Sequence, residues 1–380
     1  MKITDIKTTM VFHKYDKPKE GPYHPAHFFT HGVIVQVFTD EGIVGLGATP
    51  DSYWHIPPVY VTWIEKILKP QLIGKDPYEL EVILKSLMKR GRLDGAVSAI
   101  ELALWDIIGK SLNLPLYKLL GGAYRDKVKV YGSKIVSHKP EEAAKEALDL
   151  AERGFKAAKV QMGELSFERD LARIKAIREA VDDLELTADV NGRYTLTLAI
   201  KAAKELEKYD LVWLEEPING NLNPTTVSEY ARLSSSVNLN IAGGEGLYGI
   251  REAKDAIKER AVSIIQHNVQ YNGIIESRKI CAMAEAFDIP WAPSCIRLGI
   301  GVVGTIHLAA NTPNFMMMEY WKHPGTEELR SGILTEPIEM KKGYIEVPKK
   351  PGLGIELNED KLAKYTIKHW NVSPYYMLSD

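Results

Sequence analysis

Cysteine is nearly absent: the 380-residue chain has two, Cys281 and Cys295. They cannot form a disulfide framework and lack metal-binding spacing, so Cys281 reads as a buried free thiol, while Cys295, just past a predicted strand, stays open. An excess of one charge sign is also missing, with 48 Lys and Arg against 50 Asp and Glu, which leaves no electrostatic footprint for nucleic acid. No apolar run approaches the length needed to span a bilayer. The opening Met1-Lys2-Ile3-Thr4-Asp5 alternates as a strand does and lacks the apolar core of a signal peptide. Together these absences point to a cytoplasmic protein that binds neither nucleic acid nor membrane.

What is present is 45% hydrophobic and 26% charged residues, an ordinary globular composition. The length is too great for one small core and suits two domains, or a barrel with an added domain. From about residue 127, short β-branched runs alternate with amphipathic helical stretches, the pattern of a parallel sheet with crossover helices. The predicted strands are Lys127–Ser133, Lys156–Met162, Leu184–Val190, Leu211–Glu216, Leu239–Glu245, Val262–Asn268, Ile289–Ser294 and Asn314–Tyr320. Helical periodicity lies between them over Glu141–Arg153, Glu168–Val181, Leu196–Lys208, Ile275–Phe287 and Leu298–Ala310. Eight such units fit a closed (β/α)8 barrel better than an open sheet.

Upstream, Ile3–Phe12, Gly32–Thr39 and Ile43–Ala48 read as antiparallel strands with a turn at Asp40-Glu41-Gly42, followed by a helix over Val97–Lys110. The α/β organisation expected is therefore an N-terminal α+β capping domain over 1–125, a barrel over 126–345, and a C-terminal segment over 346–380 that packs back on the capping domain. The stretch 14–30, rich in Pro, Gly, His and aromatic residues, is long for a hairpin connection and is the candidate active-site lid.

Catalytic groups of such barrels sit at the C-terminal ends of the strands. Three successive strands there end in acids: Asp189 in Ala-Asp-Val-Asn, Glu215 in Leu-Glu-Glu-Pro, and Glu245 in Gly-Gly-Glu. Neighbouring strands lie about 4.8 Å apart, so three such carboxylates can converge on one ion. An all-oxygen donor set suits Mg2+, with Mn2+ as a substitute, and not zinc. Any one acid alone serves as well as a helix cap or a surface ion-pair partner. Lys159, on the second barrel strand, either has its pKa lowered by desolvation beside a cation and acts as a base, or stays charged and stabilises an anion. If Lys159 faces inward, so does Gln161.

These residues at these spacings resemble the enolase superfamily, specifically its mandelate racemase and muconate lactonizing enzyme group. The resemblance covers nearly the whole chain and extends to Ala103-Leu104-Trp105-Asp106-Ile107-Ile108-Gly109-Lys110, Pro115, Leu119-Leu120-Gly121-Gly122 and the closing Pro351-Gly352-Leu353-Gly354. It implies a modified, enolase-like barrel, one Mg2+ held by Asp189, Glu215 and Glu245, a homo-oligomer between dimer and octamer, and abstraction of a proton α to a carboxylate. It sets Lys159 on the first lysine of the group's Lys-x-Lys motif.

The chain departs from the pattern at once. Gln161 stands where the second lysine would be, Asn268 where strand six carries an Asp or Lys, and Ser294 where strand seven carries a His. None of these three accepts a proton near neutral pH, so racemisation, which needs an acceptor on each face of the substrate, is disfavoured. Gln161, Asn268, Ser294, His24 and Glu319, the last matching a glutamate that binds the substrate carboxylate in part of the group, are the candidate substrate-binding residues. Lys134, Tyr194, His267, Tyr23, His27 and His31 could also replace the missing bases. The reading is a lyase that removes the α-proton of a sugar acid, with Lys159 as the catalytic group, and expels β-hydroxide to leave a 2-keto-3-deoxy acid. A cycloisomerase, lactone isomerase or epimerase is the alternative, and a non-catalytic metal- and acid-binding barrel is the alternative of another class.

Overall fold

The structure is a computed structural model and describes residues 1–15, 29–51, 56–87, 94–219, 222, 226–295, 298–321 and 324–370. The N-terminal strands β1 (Ile3–Lys14), β2 (Phe29–Thr39) and β3 (Val44–Ala48) form an antiparallel sheet. The turn between β2 and β3 falls at 40–42, where Gly42 takes φ 78° and Thr39 closes the hairpin onto Ile43. β1 and β2 pair out to Lys14 and Phe29, further than the sequence suggested. The central part of the expected lid, with Tyr23, His24 and His27, lies outside the described residues.

The helix Asp94–Ser111 packs on this sheet. Its acidic first turn and Lys110 in the last turn complement the helix dipole. Gly45 and Gly47 of β3 let it approach, since a Cβ at either would strike the backbone oxygens of Ala103 and Ala99. Its other face meets the barrel: Ser98 Oγ donates to Val269 O over 3.1 Å, and Glu101 Oε1 accepts from Ile275 N–H over 2.8 Å.

The barrel strands are β4 (Lys127–Ile135), β5 (Ala157–Gln161), β6 (Glu185–Asp189), β7 (Leu211–Glu215), β8 (Ile241–Gly243), β9 (Ile264–Ile265) and β10 (Met318–Trp321), all parallel in the order β4 to β9, with β10 closing on β4 through Met318 and Val130. The expected strand at Ile289–Ser294 is reduced to one bridging residue, Trp291, paired with Ile265 and Phe315. Pro290 and Pro293 cannot donate to a ladder, yet Trp291, Ala292 and Ser294 N–H still bond Asn314, Ile265 and Gln266 carbonyls, and the ring closes. Seven described crossover helices link the strands. After β10 the chain instead forms a short helix, Pro324–Arg330, and the hairpin β11 (Met340–Lys341) and β12 (Tyr344–Glu346), which pairs with the start of β4.

The last described residues pack on the N-terminal strands and on the helix Asp94–Ser111. Leu353 N–H donates to the buried carboxylate of Asp106 over 2.8 Å, Thr366 bridges Val11, and Ile367 N–H bonds Met10 O. No described helix is long and apolar enough to cross a membrane.

Candidate active site

Alternation along the strands builds the site. One layer inside the barrel is Tyr131, Ala157, Trp213, Ala242, Ile264, Ala292 and Met317, a closed apolar plug with the Tyr131 and Trp213 rings edge to face at 5.5 Å. Side chains of one strand return to the same face every second residue. Two residues towards the C-terminal ends therefore come Ser133, Lys159, Glu215, Gln266, Ser294 and Glu319, and four residues on come Gln161, Asn268 and Trp321. The plug seals the barrel below, and the polar residues collect above it.

Lys159 is the hub of the polar layer. Its ammonium is 2% exposed and lies 2.8 Å from Glu215 Oε1, 3.1 Å from Glu319 Oε1 and 3.3 Å from Asp189 Oδ2. Burial opposes its charge, but Glu215, Glu319 and Asp189 outweigh that and push its pKa well above the ordinary lysine value. Of the two roles the sequence left open, the ammonium that stabilises an anion is the one this clamp supports. Glu215 Oε2 also accepts from Gln266 Nε2 over 2.8 Å and Trp213 Nε1 over 3.1 Å. Ser294 Oγ lies 3.3 Å from Glu319 Oε2. Burial raises the Glu319 carboxyl, yet Lys159 and then Lys134 more than offset it and hold it low.

Asp189 and Glu215 are register partners at the ends of β6 and β7, and Gln161 is the register partner of Asp189. Glu245 stands in the turn beyond β8, half-buried, and its carboxyl is raised by burial and then by Glu319. Among the described residues no three His, Cys, Asp or Glu side chains are gathered closely enough to hold a metal; Asp189 and Glu215 are turned onto Lys159. The chemistry of the donor set nevertheless fits Mg2+: Asp189, Glu215, Glu216, Glu245 and Glu319 crowd the mouth against two lysines, Lys159 and Lys134. The crowding shows in Glu216, whose carboxyl is pushed well up by burial and then by Glu245.

Other expected residues are placed differently. His267 falls between two inward positions and so points outward, stacked on Trp291 at 5.2 Å with Cys281 Sγ 3.9 Å away. Burial pushes its pKa down to about 3, so it is a core histidine and not a base. Tyr194 packs edge-on against Phe167, and burial and then Asp170 raise its phenol. His31 lies on β2 with its ring against Phe29 and Trp370. Asn268 caps the helix Val269–Glu285, its Oδ1 accepting from Gln270 N–H over 2.8 Å, which leaves only its Nδ2 for a ligand. Both cysteines are buried free thiols, Cys295 being pushed up to about 12 by burial. Sequence reasoning missed Gln266, Trp213 and Glu216, although counting back by twos from Asn268 and Glu215 reaches the first two.

The N-terminal domain of mandelate racemase and muconate lactonizing enzyme matches residues 8–121, and the enolase C-terminal domain-like family matches residues 142–361. The chain belongs to the mandelate racemase/muconate lactonizing enzyme group of the enolase superfamily. Within that superfamily it is 35% identical over 350 residues to an arabinonate dehydratase of Saccharolobus solfataricus, covering 88% of this chain and 91% of that one. It is 31% identical to a D-galactarolactone cycloisomerase of Agrobacterium fabrum, covering 96% and 99%. A racemase from Streptomyces coelicolor A3(2), solved with bound magnesium, superposes with a TM-score of 0.84 at 26% identity, covering 96% of this chain and all of that one. As a member of this superfamily with such relatives, the protein is an enzyme, a hydro-lyase or an isomerase, and the non-catalytic alternative is set aside.

Proposed function

We propose that this enzyme dehydrates a sugar acid to a 2-keto-3-deoxy acid with the help of Mg2+ held by Asp189, Glu215 and Glu245. What carries the reading is a set of buried polar atoms with no hydrogen-bond partner, on residues that face the chamber of Lys159: Gln161 Oε1, Gln266 Oε1 and Asn268 Nδ2. Each such atom costs about 1–3 kcal/mol unless something bonds it. A polyhydroxy acid brings both donors and acceptors to such a chamber, whereas a flat or apolar substrate would leave them bare.

Mg2+ held by Asp189, Glu215 and Glu245 would supply positive charge that stabilises the anion formed when the α-proton is lost. The Lys159 ammonium, held beside Asp189, Glu215 and Glu319, would add its positive charge to the same region. Glu319 and Ser294 orient the carboxylate end, and Gln161, Gln266 and Asn268 hold hydroxyls. Amides and a hydroxyl where proton-transfer groups would face both sides of the substrate argue against racemisation and suit an elimination that runs in one direction.

The test is a screen of five- and six-carbon sugar acids for products that react with semicarbazide. A keto acid product is the expected outcome. A cycloisomerase, the activity named for the Agrobacterium fabrum relative, would leave the open-chain acids untouched and convert their lactones to a product of unchanged mass, and that result would replace the dehydratase reading.

A further inference from the structure

Lys134 is the one lysine of the mouth that the clamp around Lys159 does not explain. It follows Ser133, an inward residue of β4, and the pairing of β4 with β5 slips between Ser133 and Ile135, so that Lys134 escapes strict alternation. Its Nζ lies 5.2 Å from the centre of the Trp321 ring, at the inward-facing end of β10. Both Glu319, from β10, and Glu245, from the far side of the mouth beyond β8, feel its charge. Trp321 stands two residues beyond Glu319 on the inward face of β10, so its contact sets the Lys134 ammonium at the mouth, above the layer that holds Lys159.

We propose that Lys134 is the general acid of the elimination: it protonates the β-hydroxyl as it leaves. The inference rests on the dehydratase reading and concerns its second step only. Once the α-proton has gone, the electron pair left on Cα forms the double bond while the Cβ–O bond breaks. The departing oxygen takes a proton from the Lys134 ammonium and leaves as water, and the enol so formed ketonises to the 2-keto acid. Lys134 regains its proton from solvent. Three observations fit this division of labour. The Lys159 donors are already directed at three carboxylates, His267 is turned out of the barrel, and Ser294 and Asn268 are poor acids. The ring of Trp321 holds an ammonium by a cation–π contact without accepting its proton.

The experiment compares wild type with Lys134→Met on whichever sugar acid of the screen wild type dehydrates. Three readouts are followed: keto acid formation, exchange of the α-proton with D2O by NMR, and elimination from the β-fluoro analogue, whose fluoride leaves without a proton. General acid catalysis contributes about 10^2–10^4-fold. The expected result is a loss of that size in keto acid formation, continued α-proton exchange, and elimination of fluoride at close to the wild-type rate. Lys134→Gln carries the same comparison if the methionine variant does not fold. Keto acid formation within a few-fold of wild type, or loss of exchange and of fluoride elimination along with it, overturns the role of Lys134 while leaving the dehydratase reading intact. Failure of wild type on every acid of the screen overturns both.

Discussion

Lys159 Nζ stands 2.8 Å from Glu215 Oε1, and this pair ties the second barrel strand to the fourth beneath the opening of the site. The ion pair is buried on both sides, and Asp189 and Glu319 share the same ammonium. Removing one partner of a buried pair costs about 3–5 kcal/mol because the other charges are left uncompensated. Lys159→Met is expected to lose about that much stability in EDTA and to lose keto acid formation. Added Mg2+ should recover part of the stability, since a cation offsets the same carboxylates. Denaturant titrations with and without Mg2+ check this, and an unchanged midpoint would mean the clamp is not formed.

Burial holds two core histidines neutral and drives an acid sensitivity. His267 is pushed down to about 3 and His307, which accepts from Tyr117 N–H and bonds Leu353 O, to about 4. The unfolded chain binds protons at these groups from about pH 6.5 downward, whereas the folded protein does not until pH falls to about 4 or lower. Stability therefore falls as pH is lowered through this window, by at most about 1.4 kcal/mol per pH unit for each histidine. Denaturation midpoints between pH 7 and 4.5 should show the slope, and His307→Gln should flatten it.

Asp106 joins three segments: its carboxylate accepts from Leu46 N–H over 2.9 Å, from Leu353 N–H over 2.8 Å and from Lys110 over 2.6 Å. Asp106→Ala strands two backbone donors and a lysine, at a cost on the order of 3 kcal/mol. Denaturant unfolding measures it. Asp106→Asn should cost less, because an amide oxygen still accepts one of the bonds.

Gly273 interrupts the helix Val269–Glu285 with φ 76° and ψ 173°, a conformation essentially reserved for glycine. A Cβ there would also run into the Glu101 carboxylate that receives Ile275 N–H. Gly273→Ala is expected to cost about 1–3 kcal/mol from the backbone alone, visible as a lower melting temperature. Gly42→Ala, in an open turn, should cost less, since nothing lies near its added methyl.

The barrel was legible in the sequence because alternation of strand and helix is a local signal, and the acids that close β6 and β7 are written beside it. Lys159 and Gln161 faced inward as the two-residue period required. Strand seven was overstated because its β-branched and aromatic content does not reveal that two prolines thin its ladder. The helical turn from Val269 ahead of Gly273 was missed because helical periodicity begins only at Ile275. Chemistry alone left His267 open as a base, whereas its position between Gln266 and Asn268 turns it outward. The pairing of Lys159 with three carboxylates could not be read locally at all: it joins β5 to β6, β7 and β10, which only closure of the barrel brings together.

The most direct test of the account is keto acid formation from a sugar acid by EDTA-treated protein with and without added Mg2+, measured alongside Asp189→Asn. Activity restored by Mg2+, absent in EDTA and absent in Asp189→Asn with Mg2+ is the result predicted. Full activity in EDTA, or an Asp189→Asn enzyme as active as wild type, would contradict it.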